Sequence, residues 1–221
     1  MRELKIAYGS SCFAKVWSNK TITFDALCER LKNTIRTPET VEEYPKLSKV
    51  ERDRAKDKGG MVGGWLKQGR RKAPNVECRS MLTRDIDSAD PDFLERYRML
   101  NQYASCLYST HSHTPEAPRY RIITPLTRDV SPEEYLALTR LLAKEWGIDC
   151  VDSCSYRAHQ LMYWPTTPSN GEYVFERFDG AWLNPDAFLS AHPGWRDVSL
   201  LPTSSRESTL IDRQRKQQAD P

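Results

Sequence analysis

Ser131-Pro132-Glu133-Glu134 opens the most completely marked element of the chain. Ser131 can accept from the amide three residues on, and Glu134 can reach back to the Ser131 amide. Pro132 suits the first helical position, where its missing N–H has no intrahelical partner. Tyr135, Leu138, Leu142 and Trp146 then share one stripe, and Gly147 ends the helix. Such a helix is stable only when its stripe is buried against another apolar surface. The surfaces on offer are runs of strand character at residues 4–8, 61–66, 76–86, 103–108, 119–124, 161–164 and 173–178. The last of these is expected to turn at Asp179-Gly180 into a hairpin with Ala181-Trp182-Leu183. Two more helices are expected. One covers residues 23–32 with apolar positions 24, 27, 28 and 31, and the other covers 91–102 with Phe93, Tyr97 and Leu100 on one side. Residues 36–58 read as a loop with a helical turn, and the polar stretch from Pro202 as a linker or solvated helix. Helices and strands mix without strict alternation, so the fold class is α+β.

At 221 residues the chain can bury a core without disulfides or a structural metal. Six Trp, ten Tyr and six Phe give it large apolar surfaces although 29% of its residues are charged. No apolar run is long enough for a membrane span, and nothing after Met1-Arg2-Glu3-Leu4-Lys5 resembles a secretory leader. The expected location is cytoplasmic, with no membrane partner. The six cysteines are scattered and read as reduced thiols. Cys150, Cys154 and His159 suggest a zinc knuckle only weakly, because no fourth ligand stands nearby.

The net charge of +3 matters less than its distribution. Between Glu51 and Lys72, eight Lys or Arg face three acids, interleaved with Gly59, Gly60, Gly63, Gly64 and Gly69. Basic runs are usually solvated faces. Glycines here would let backbone amides approach phosphates, and Lys58, Arg70, Arg71 and Lys72 are the candidates for nucleic-acid contact. The same loop could instead hold a triphosphate.

Three clusters carry chemistry. Asp85 and Asp87 stand two apart at a strand end, so both carboxylates project from one face; like charges so placed call for a cation, with hard oxygen donors suited to Mg²⁺ or Mn²⁺. The bland alternative is an acidic strand end, since Asp90 and Asp92 follow. Ser109-Thr110-His111-Ser112-His113, with Arg119 and Arg121 behind it, can cradle a triphosphate, or form a hydrogen-bonded turn with surface histidines. Asp149 and Asp152 form a third acidic pair that could equally be turn residues. Together the three make a two-metal nucleotidyl-transfer site, with carboxylates for the cations and His and Arg for the phosphates.

These residues resemble the primase-polymerase domain of the archaeo-eukaryotic primase superfamily, in the phage and mobile-element branch that precedes virulence-associated protein E type helicases. Arg84-Asp85-Ile86-Asp87 matches the first motif, with Arg84 where the family has an apolar residue. Ser109-Thr110-His111 and His111-Ser112-His113 both match the second, and Ser112 to Arg121 favours His113 as the nucleotide contact with His111 second. Val151-Asp152 fits the third better than Ile148-Asp149. Arg36-Thr37-Pro38-Glu39-Thr40, Lys56-Asp57-Lys58-Gly59-Gly60 and Gly69-Arg70-Arg71-Lys72 resemble the same branch, and Lys216 to Pro221 resembles the start of the junction to a helicase.

The resemblance implies an RRM-like catalytic core with an added N-terminal α/β unit. Residues 1–75 would be that unit, 76–200 the catalytic part and 201–221 a polar linker. It implies template-directed nucleotidyl transfer from (d)NTPs on a DNA template, with a helicase fused or as partner. The metal ligands would be Asp85, Asp87 and Asp152; the nucleotide would meet Ser109, His111, His113, Arg119 and Arg121. Two other readings compete. A rolling-circle-type nuclease would use the His pair for a metal and Tyr156 or Tyr163 as nucleophile. A non-catalytic single-strand binder would leave Asp85 and Asp87 unexplained.

Overall fold

A computed structural model describes residues 2–219, without the side chains of residue 212 and residues 214–219. Strand β1 (Leu4–Gly9) pairs antiparallel with β2 (Ser18–Ile22), and α1 (Phe24–Lys32) follows, capped by the Thr23 side chain. The short β3 (Ile35–Arg36) leads to α2 (Lys49–Lys56), where Ser48 and Glu51 form a capping box. Residues 36–58 thus hold a short turn of helix at Tyr44–Lys46 and the eight-residue α2, more than the single helical turn expected. β4 (Gly60–Val62) and β5 (Gly64–Leu66) come next, and then β6 (Val76–Ile86).

The chain then proceeds through α3 (Phe93–Leu100), β7 (Ser105–Ser109), β8 (Tyr120–Val130) and α4 (Pro132–Trp146). β9 (Met162–Tyr163), β10 (Thr166–Thr167), β11 (Phe175–Phe178), α5 (Pro185–Ser190) and α6 (Ser205–Ala219) complete the order. The main sheet is five-stranded and antiparallel, in the order β11-β7-β8-β6-β5. A second sheet, β2-β1-β4-β9, belongs mostly to the N-terminal half, and β10 pairs parallel with β3.

Both faces of the main sheet are covered. Phe93 and Tyr97 of α3, with Tyr135, Leu138, Leu142 and Trp146 of α4, pack against Leu82, Ile86, Leu107 and Ile122. On the other face Leu4, Phe24, Leu27 and Met61 meet Met81, Cys106, Tyr108 and Ile123. Each such buried side chain contributes roughly 2 kcal/mol of hydrophobic stabilisation. A sheet buried on both sides needs near-continuous burial rather than alternation, and β6 is buried from Arg79 to Ile86.

That burial explains two arginines. Arg79 donates to the carbonyls of Gly63 (3.0 Å) and Ala158 (2.6 Å) and to Thr83 Oγ1 (2.8 Å), with its guanidinium 4.0 Å from the Tyr135 ring. Arg84 sits over Trp146, its guanidinium 4.3 Å from the ring centre, and donates to Thr124 Oγ1. Its Nε and Nη1 have no partner, and burial lowers its pKa to about 10.

Four local expectations need correction. Residues 61–66 are two strands in two sheets, because Gly63 turns the chain between them. A Cβ on Gly64 would lie 1.9 Å from the Cys78 carbonyl, so only glycine lets β5 close on β6 there. The hairpin at Asp179-Gly180 does not form: β11 pairs with β7, while Ala181 and Leu183 bridge in parallel to Tyr103 and Leu126. The helix expected from Pro91 starts at Phe93, and Leu100 is exposed. β8 runs past Thr124 through Pro125 to Val130, longer than expected.

The polar stretch from residue 201 is largely the helix α6, fastened at its start. Asp149 accepts from the Ser205 amide (2.7 Å) and hydroxyl (3.0 Å), and Arg140 pairs with Glu207 at 2.7 Å. The Lys216-to-Pro221 run, likened above to a helicase junction, lies outside the described side chains, and its last two residues lie outside the description altogether. Among the described residues no helix is long and apolar enough to cross a membrane.

Candidate active site

Strand β6 delivers Asp85 inside the sheet and Asp87 just past its end. The segment 148–152 returns beside it: Ile86 bridges Val151, the Asp87 amide donates to the Cys150 carbonyl (3.1 Å), and the Asp152 amide donates to the Asp85 carbonyl (2.8 Å). Asp85, Asp87 and Asp152 consequently line one cavity of 250 Å³ together with Lys56, His111, Arg119, Arg121, Tyr163 and Thr166.

Two arginines on β8 and its approach face the carboxylates. Arg121, opposite Asp85 in the sheet register, comes within 3.3 Å of its Oδ2. Arg119 stands 3.4 Å from Asp87 Oδ1, in a more open setting. Asp85 Oδ1 is buried and has no hydrogen-bond partner. Burial pushes the Asp85 carboxyl above the usual range; Arg121 opposes that rise, and the charges of Asp87 and Asp152 add to it.

Among the described residues no group of three His, Cys, Asp or Glu side chains stands ready to hold a metal ion. The donors nonetheless fit a hard divalent cation in kind: three carboxylates reach one cavity, and one buried oxygen lacks a partner. Asp149, the competing third acid, is committed to Ser205 at the start of α6.

The histidines take different places. His111 is buried beneath Tyr44, with ring centroids 4.4 Å apart, and both ring nitrogens are engaged: Nδ1 with Thr166 Oγ1 and Nε2 with Glu39 Oε1, each at 2.9 Å. His113 accepts at Nδ1 from the Arg119 amide (3.1 Å) and lines a neighbouring cavity of 320 Å³ with His111, Arg52, Arg119 and Tyr44. Burial lowers both imidazoles below their ordinary value, so both are neutral at neutral pH. Ser109 lies away from both cavities, exchanging hydrogen bonds with the backbone of Val174.

Of the basic candidates, Arg71 is a tie inside the fold. It donates to the carbonyls of Cys12 (3.0 Å) and His159 (3.4 Å), and its guanidinium lies 5.2 Å from the Trp17 ring. Lys58 and Lys72 are exposed, and Arg70 donates to the Lys15 carbonyl from an exposed position. None of the four lines the acidic cavity, whereas Lys56 does.

Glu39, Thr166 and Lys56 carry no sequence signal of a role at this site, and Tyr163 stood out only as a nuclease's possible nucleophile. Glu39 stood only within the Arg36-to-Thr40 resemblance. Its link to His111 depends on the β3–β10 pairing, which carries no local signal.

A family model described as the VapE N-terminal domain matches residues 1–204. Among solved structures, the chain is similar to one titled cyanophage S-2L primase-polymerase (PrimPol), AEP domain. Identity is 13% and the TM-score 0.48, over 76% of this chain and 95% of that one. No curated protein matches the chain.

Proposed function

The chain belongs to the VapE N-terminal domain family, and from that premise we propose that it is a DNA primase or polymerase domain that joins (d)NTPs by a two-metal mechanism in phage, plasmid or mobile-element replication. The observation that carries this reading is the meeting of Asp85, Asp87 and Asp152 with Arg119 and Arg121 in one cavity. Carboxylates and guanidiniums side by side suit a substrate of phosphates and divalent cations, since each sign then has a partner.

In this reading Asp85, Asp87 and Asp152 hold Mg²⁺ or Mn²⁺, which when bound would activate the attacking hydroxyl and neutralise charge on the departing pyrophosphate. Arg119 and Arg121 would turn from the carboxylates to phosphate oxygens, exchanging one charged partner for another. His113 can offer its Nε2 side to the nucleotide, because its Nδ1 is fixed by the Arg119 amide. His111, held by Glu39 and Thr166, positions the turn and shapes the wall between the two cavities. The helicase expected from the resemblance would act downstream or in trans, on the template that this site copies.

A rolling-circle nuclease is less well supported. His111 has both nitrogens engaged and His113 lines the neighbouring cavity, so the pair does not converge on one cation. Of its two candidate nucleophiles, Tyr156 is buried under Arg140, whereas Tyr163 is half-buried and lines the acidic cavity, so the histidines rather than the tyrosines weigh against this reading. The deciding experiment is template-dependent incorporation of labelled dNTPs and NTPs with Mg²⁺ or Mn²⁺, with and without a primer. Incorporation that follows the template supports the reading; a covalent protein–DNA adduct, or no incorporation under any condition, refutes it.

A further inference from the structure

Phe13 is 81% exposed, although its loop is firmly tied. The Ser11 hydroxyl accepts from the Phe13 amide (3.1 Å), and the Ser11 carbonyl from the Ala14 amide (3.0 Å). Asp57 fastens the start of the loop, accepting from Ser11 Oγ (2.7 Å) and from the Cys12 amide (3.0 Å). At its end the Trp17 amide donates to the Gly69 carbonyl (2.9 Å), and the Trp17 ring is buried. A fixed loop therefore holds one aromatic ring in water while the neighbouring one is packed.

Exposed apolar residues standing singly mean little. Phe13 does not stand singly: Val16 and Val50 are 69% and 59% exposed, and Phe13 and Val50 line an open cavity of 500 Å³ with Arg54. The two acids in that cavity are already partnered. Asp53 pairs with Lys56 at 2.8 Å, and Asp57 is occupied by the loop's own donors. Arg54 lines the cavity with the ring and has the exposed Glu51 on its own helix nearby, and Arg70 donates to the Lys15 carbonyl two residues along the loop (3.1 Å), so basic side chains flank the loop on both segments it meets.

We propose that Phe13 is a stacking platform for one base of a single-stranded DNA template approaching the acidic cavity, an inference that rests on the nucleotidyl-transfer reading. An aromatic face flanked by Lys and Arg matches a strand that presents bases and phosphates in alternation. The position fits too. Lys56, adjacent in sequence to the Asp57 that anchors this loop, lines the acidic cavity, and so does Tyr163, which Lys56 Nζ approaches at 5.8 Å from the ring centre.

The test is binding of a labelled oligothymidylate to the whole chain, by fluorescence anisotropy at several salt concentrations without nucleotide or divalent cation. Phe13→Ala should weaken binding about ten-fold at every salt concentration. It should leave the salt slope unchanged, since stacking releases no counterions. Phe13→Trp should restore affinity. A strand of abasic sugars should bind wild type and Phe13→Ala equally. Unchanged oligothymidylate affinity in Phe13→Ala overturns the proposal, as does an equal loss on the abasic strand. So does a dimer that Phe13→Ala dissolves, which would assign the ring to a second copy of the chain. If wild type incorporates nucleotides while Phe13→Ala binds normally, the stack alone fails. If wild type neither binds DNA nor incorporates, the functional reading fails with it.

Discussion

The amide of Asp152 donates to the carbonyl of Asp85 at 2.8 Å, so the third carboxylate is hung on the strand that carries the first. The bond is between backbones. Neither carboxylate takes part in it, which separates what these acids do chemically from what this contact does for the fold.

Asp87→Ala should therefore abolish template-dependent incorporation with little change in thermal unfolding, and Asp152→Ala should abolish it at an added cost of about 1 kcal/mol, because its carboxylate also accepts from the Cys154 amide (3.1 Å). Asp85→Ala should differ. It also removes activity, but it leaves the guanidinium of Arg121 buried without its carboxylate, at a cost of about 3 kcal/mol. Incorporation assays paired with melting curves check both halves, and normal incorporation by Asp87→Ala would reject the metal site.

Arg119→Ala and His113→Ala should weaken (d)NTP binding roughly ten-fold while oligonucleotide binding stays as it is, given the usual strength of hydrogen bonds to charged groups. Arg121 is a poorer probe because Asp85 depends on it. If His111→Ala alone has the effect, the nucleotide sits against the acidic cavity wall and the choice of His113 is wrong. Equilibrium binding of a non-hydrolysable nucleotide distinguishes the three variants.

Arg70→Gln and Lys72→Gln should each reduce the salt slope of single-strand binding, by roughly 0.7 per lost phosphate contact. Arg71→Gln should instead lower stability, because Arg71 ties Cys12 to His159. Titrations at several salt concentrations, read against urea midpoints, assign each residue to DNA or to the fold. An unaltered slope in both of the first two variants would mark them as solvated surface.

Asp129 offers a pH test. Burial acts upward on its carboxyl, but Ser80, Lys5 and Arg2 hold it down at about 2. A carboxylate depressed on folding contributes stability above its unfolded pKa and loses that contribution as pH falls toward the folded one. Asp129→Asn should thus cost on the order of 1 kcal/mol at neutral pH, discounted for partial exposure. The gap to wild type should close between about pH 4 and pH 2. Urea unfolding of both proteins across that range would show it, and a gap independent of pH would contradict the ion pair's role.

What could be read in advance was local or strictly periodic. The α4 helix is written in adjacent residues, from the Ser131–Glu134 capping box to Gly147, and it forms as expected. The three acids were recognisable because strand spacing and motif order both constrain them. Pairings between distant segments were not. Asp179-Gly180 carries a hairpin signal, yet β7 and β8 offer Phe175–Phe178 and Leu183 better partners. The Glu39–His111 contact depends on Thr166 and Thr167 meeting Ile35 and Arg36, which no short window encodes. Arg84 reads as a flaw in an apolar strand until Trp146 is found beneath it.

Gly63 has a mechanical consequence. The chain leaves one sheet at Val62 and enters the other at Gly64, so one residue carries it from sheet to sheet. Swinging one sheet away from the other would have to break what joins them across that link: the Lys5 amide on Ser80 Oγ (3.0 Å), Arg2 and Lys5 on Asp129, and the packing of Leu4 and Met61 on Met81. Opening the N-terminal half like a jaw would therefore have to give up those ion pairs and that buried packing together, a far larger cost than turning one glycine.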